Sequence, residues 1–84
     1  MSRARTDRIP VPVKCGADGC PRTLHWRGRV SRIEAVLNSW RVDIGWWDTP
    51  VQRDYYKTTL DNGGTLLLVH DHIAGAWFVR RIYD

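Results

Sequence analysis

Arg53-Asp54-Tyr55-Tyr56-Lys57-Thr58-Thr59-Leu60-Asp61-Asn62-Gly63-Gly64-Thr65-Leu66-Leu67-Leu68-Val69-His70-Asp71 is the stretch that decides the fold. Its centre, Asn62-Gly63-Gly64, is a hairpin signal, because Asn and Gly tolerate the positive φ that a tight reversal requires. Aromatic and β-branched residues flank it on one side and aliphatic residues on the other, and both suit a pleated surface. The pattern predicts a strand from Arg53 to Asp61 and a returning strand from Thr65 to Asp71. His72-Ile73-Ala74-Gly75 predicts a second turn, and Ala76 to Tyr83 a further strand. Residues 53–83 therefore read as a three-stranded antiparallel meander.

Upstream lies Gly45-Trp46-Trp47-Asp48, with Asp48-Thr49-Pro50 as a loop. Adjacent residues of an extended chain point to opposite faces. Trp46 and Trp47 should divide between core and surface, and so should Tyr55 and Tyr56. Leu24, Trp26, Gly28 and Val30 alternate with Arg27 and Arg29, which is strand periodicity. The phase breaks over 31–38, where a helical turn competes with a strand bulged at Ser31-Arg32. The β surroundings favour the bulged strand, ended by Asn38-Ser39. Ile9 to Cys15, with Pro10 and Pro12, reads as an edge strand, since proline cannot donate to a ladder. Gly16-Ala17-Asp18-Gly19 reads as a turn. The expectation is an all-β fold of about five strands, a small SH3-like barrel or a strongly curved antiparallel sheet.

Eighty-four residues hold one domain, here 9–84, preceded by a disordered basic arm over 1–8. The net charge is +4, with eleven Arg and two Lys. Residues 22–41 carry five arginines against Glu34 alone, whereas 42–84 are net acidic. A modest basic excess is an ordinary route to solubility. No apolar h-region follows Met1-Ser2-Arg3-Ala4-Arg5, and Leu66-Leu67-Leu68-Val69 is too short to span a bilayer. The expected location is cytoplasmic, where two cysteines do not imply a disulfide.

Trp26-Arg27-Gly28-Arg29, Trp40, Trp46-Trp47, Arg53-Asp54-Tyr55-Tyr56, Gly63-Gly64 and Trp77-Phe78 running to Tyr83-Asp84 form a succession that resembles a small bacterial domain of unknown function. A block similar to residues 22–84 resembles the tail of ImuB-type subunits. Those are catalytically inactive Y-family polymerase-like proteins of the mutasome, which carries out translesion synthesis. The resemblance implies an accessory, protein-binding role near DNA repair and no activity. The cysteine pair is not part of it.

The residues themselves point the same way. No oriented nucleophile and base, and no phosphate loop, is visible, so the chain is expected not to be an enzyme and to need no cofactor. Acids beside Gly and Pro read as turn formers. Cys15, Cys20 and His25, with His70 or His72, offer a weak zinc alternative, since no second ligand pair of recognised form exists. A disulfide across the turn and two reduced thiols are the other options, and reduced thiols are the plainer. Candidate partner-binding residues are Trp46, Trp47, Arg53, Tyr55 and Tyr56, because an outward Trp beside an outward Tyr marks a protein partner. The rival reading is a single-stranded nucleic-acid-binding barrel using Arg27, Arg29, Arg32 and Arg41. Against it, strand phase sets Trp26 on the face opposite Arg27 and Arg29.

Overall fold

The Asn62 turn forms as its residues demand. Leu60 N donates to Gly64 O at 2.8 Å, Gly63 N to Leu60 O at 3.0 Å, and Gly64 N to the Asn62 side-chain oxygen at 2.9 Å. Gly63 has a φ of +89°, which a side chain would resist. The structure, a computed structural model, describes residues 10–45 and 50–83 and leaves out the side chains of Arg81 and Tyr83. The arm 1–8, the Trp46-Trp47 pair and Asp48-Thr49 lie outside the described residues.

Among the described residues six strands follow one another: β1 (Val13–Cys15), β2 (Pro21–Trp26), β3 (Arg29–Ile44), β4 (Val51–Leu60), β5 (Thr65–Asp71) and β6 (Ala76–Tyr83). They form one antiparallel sheet in the order β1-β2-β3-β4-β5-β6. The sheet curls into a half-barrel, so the expected all-β class and the meander hold. Its two ends touch where Pro10 bridges Phe78 and Val11 N donates to Trp77 O at 2.9 Å.

Three expectations need correcting. The alternation through Leu24 to Val30 is not one strand, because the chain reverses at Arg27-Gly28. Their φ values of +53° and +78° are those of a two-residue hairpin turn whose twist matches its strands. Strand spacing on both sides concealed a turn with only one glycine. Nor does Asn38-Ser39 end a strand, since β3 continues for 16 residues. The irregular steps fall at Ile33/Ala35 and Val36/Asn38 rather than at Ser31-Arg32. They let β3 bend, pairing with β2 over 29–32 and with β4 from Ile33 onward.

A Cβ on Gly28 would meet nothing within 4 Å, so its constraint is conformational alone. Gly28→Ala should cost about 1 kcal/mol in a denaturant melt, the penalty of a left-handed non-glycine residue.

The core lies inside the curl. Leu24, Leu60, Leu66, Leu68, Trp77 and Val79 pack there with Val11, and Tyr56, Trp26 and Ile33 lean on them. Ser31 and Thr58 are buried polar residues among the described ones, and the Thr58 hydroxyl donates to Leu66 O at 3.2 Å. Among the described residues no helix is long and apolar enough to cross a membrane.

Candidate functional site

Three hairpin registers set four side chains in line on the core-facing side. Arg41 pairs with Asp54 across β3–β4, Asp54 with His70 across β4–β5, and His70 with Trp77 across β5–β6. One residue earlier on β3 and β5, and one later on β4 and β6, the opposite face carries a second line. There Trp40 pairs with Tyr55, Tyr55 with Val69, and Val69 with Phe78. The period of two along a strand makes these rows distinct. One is polar and titratable, and the other is aromatic and aliphatic.

In the core-facing row, Asp54 is the hub. Arg41 forks onto it, Nε donating to Oδ1 at 2.7 Å and Nη2 to Oδ2 at 3.1 Å. His72 Nε2 meets Oδ2 at 2.7 Å. The Arg41 hydrogen bond, helped by that of His72, outweighs partial burial and lowers the Asp54 pKa to about 2. His70 stacks on Trp77 at 4.3 Å and 6° and lies 4.2 Å from the His72 ring. Burial, then the neighbouring His72, lowers its pKa, which favours the neutral imidazole. Asp71 takes a different job. Burial would raise its pKa, but donation from Ala74 N and Arg53 overcomes that. Its Oδ1 accepts from Ile73 N and Ala74 N, each at 3.0 Å, and shapes the β5–β6 turn.

The Asp54 shift makes a pH prediction. A carboxyl depressed from 3.8 to about 2 stabilises the fold above the unfolded value, and that stability is lost as pH falls through the folded one. The Arg41 side chain is 62% exposed, so screening cuts the contribution to about 1 kcal/mol. In chelator, acid titration of Asp54→Asn should lack this loss between pH 4 and pH 2, whereas the parent should show it. Superimposable acid transitions would remove Asp54 as the hub.

In the outward row, Trp40 lies parallel to Tyr55, ring centroids 5.3 Å apart at 1°. Trp40 is 42% exposed. Ile44, also exposed, shares its face of β3. Arg53 sits beside Tyr55 on this face, its Nε donating to Asp71 Oδ2 at 3.1 Å. Tyr56 faces the core instead, tilted against Trp77 at 5.5 Å. The two tyrosines thus divide between faces. Trp46 and Trp47 lie outside the described residues.

The remaining candidates scatter. Arg27 places its guanidinium 5.2 Å from the Trp26 ring centre, which the strand phase did not foresee. Arg29 and Arg32 are exposed near the same hairpin. Arg41 lies nine residues beyond Arg32, roughly 30 Å along the strand, and is held by Asp54. Cys15 and Cys20 are free thiols. Burial, then the charges of Cys20 and Asp18, raises the Cys15 pKa, the reverse of what activates a nucleophile. Cys15, Cys20 and His25 belong to no metal-compatible cluster among the described residues. Asp54, His70 and His72 do form one, which the sequence did not single out because Asp54 is distant from the histidines along the chain.

No curated protein and no solved structure is matched by this chain. A family model does match, from residue 1 to residue 84, and its description is "Domain of unknown function (DUF6504)". With the whole length matched, the chain belongs to that family.

Proposed function

We propose that this domain is a non-enzymatic protein-interaction module whose partner docks on the outward face of β3 and β4. The observation that carries the reading is the parallel Trp40–Tyr55 stack, half exposed at the side of the sheet. Ordered aromatics that remain open to water are what hot spots are made of. Beyond Arg32, β3 has only β4 as a neighbour among the described residues. Its other edge is therefore open to an added strand, and the exposed side chains of Leu37, Trp40 and Ile44 lie along it. Backbone pairing with a partner's extended segment, plus side-chain pockets, is a recurrent mode of peptide recognition. The resemblance of residues 22–84 to ImuB-type tails supports placing that partner in translesion synthesis.

Arg27 over Trp26, with Arg29 and Arg32 nearby, favours single-stranded nucleic acid as the second reading. Salt separates the two. Calorimetric titration into a purified ImuB-type subunit, and into a fluorescein-labelled oligonucleotide, is to be run at about 50 and about 300 mM salt. The interaction reading expects subunit binding that changes only a few-fold. Oligonucleotide binding alone, falling steeply with salt, would replace it with the nucleic-acid reading. Binding of neither would remove the translesion partner.

A further inference from the structure

We propose that Asp54, His70 and His72 form a binding site for one divalent transition-metal cation of the zinc class. One ligand atom from each lies within 4.8 Å of the other two. The backbone fixes this closeness. Asp54 and His70 are direct cross-strand partners, and His72 follows two residues later, anchored by its own N–H to Gln52 O at 2.9 Å. Two imidazoles and one carboxylate make a three-ligand set that leaves coordination positions open. Imidazole nitrogen selects zinc, cobalt or nickel over calcium and magnesium, which prefer all-oxygen ligands.

The surroundings are those of an oriented ligand set. Asp54 can give Oδ2 to the ion and keep Oδ1 bonded to Arg41 Nε, as ligating carboxylates commonly are. Trp77 holds the plane of the His70 ring. Around one ion, ligand atoms stand about 3.4 Å apart, which follows from bonds of about 2.1 Å. Closing the 4.8 Å span to that distance takes a shift of about 1.4 Å, within reach of the His72 and Asp54 side-chain torsions while His70 keeps its stack on Trp77. The bond from His72 Nε2 to Asp54 Oδ2, 2.7 Å long, is the contact the ion replaces. Beside it is an open depression of about 190 Å³ lined by Arg41, Asp43, Gln52 and His72, with room for water on the ion. Arg41 opposes a cation and Asp43 favours one, so the ion is an exchangeable ligand and not a condition of folding.

The test uses the untagged full chain with Cys15→Ser and Cys20→Ser, which removes thiolate ligands from the reading. Cobalt chloride is titrated and followed by its visible absorbance, then displaced with zinc chloride. The site predicts one equivalent bound and a melting temperature that rises with zinc. It also predicts affinity at least about tenfold weaker in His72→Gln and in Asp54→Asn. His72 is exposed, so its variant keeps the fold, which circular dichroism in chelator verifies. Binding unchanged in both variants would overturn the site. So would a cobalt spectrum that vanishes with the cysteines, or no saturable binding up to about 100 µM.

Discussion

Trp77→Ala is expected to cost roughly 3–5 kcal/mol of folding free energy, the range for deleting a large buried ring. Trp77 is 9% exposed and belongs to the core cluster. It packs on Tyr56 from β4 and on His70 from β5, and its carbonyl accepts from Val11 N where the curled sheet meets itself. One ring thus touches the meander, the titratable row and the closure. A domain of 84 residues has a total stability of only about 4–13 kcal/mol. The variant should melt at least about 12 °C lower, at 4–8 °C per kcal/mol for this size. Trp77→Phe, which retains an aromatic body, should recover about half of that loss. A Trp77→Ala melt within a few degrees of the parent would show that the curl closes around something else.

The second half was legible because its turn signals are strong and its strands are uninterrupted. Asn62-Gly63-Gly64 and His72 to Gly75 fixed two reversals, and β5 and β6 have the bounds their alternation suggests. The first half was harder for a physical reason. Arg27-Gly28 carries one glycine and puts an arginine at positive φ, so composition did not mark it as a turn. The bulges in β3 then shift its phase twice, which periodicity cannot follow. The site was hidden by a different limit. His70 and His72 were recognisable as sharing a face, but Asp54 joins them only through the register of the β4–β5 hairpin. Asp54 stands opposite His70 across β4–β5, and Trp40 opposite Tyr55 across β3–β4. A turn signal fixes a reversal only to within a residue, and a shift of one residue at the turn moves the cross-strand partner by two, so register and exposure both stayed hidden. Nothing in the sequence distinguishes Trp40, which stays open to water, from Trp77, which does not.

That difference sets the expected behaviour of Trp40→Ala. The change removes a stack on Tyr55 worth about 1 kcal/mol and leaves no closed cavity, because the ring is 42% exposed. Folding should weaken by about that amount, a shift of roughly 4–8 °C. Partner binding should weaken by about 2 kcal/mol or more, close to thirtyfold, since an exposed ring held rigid loses little entropy on docking. Tyr55→Ala should act in the same sense, because Trp40 then loses the surface that orients it. Arg53→Ala is the control on the same face. Its bond to Asp71 is already made within the domain, so its loss should disturb stability more than affinity. The measurement pairs a thermal melt with titration into the ImuB-type subunit for each variant. If Trp40→Ala binds as the parent does, the outward row is surface without a partner. If it unfolds as severely as Trp77→Ala, the stack is a second core. In either case the interaction reading loses the observation on which it stands.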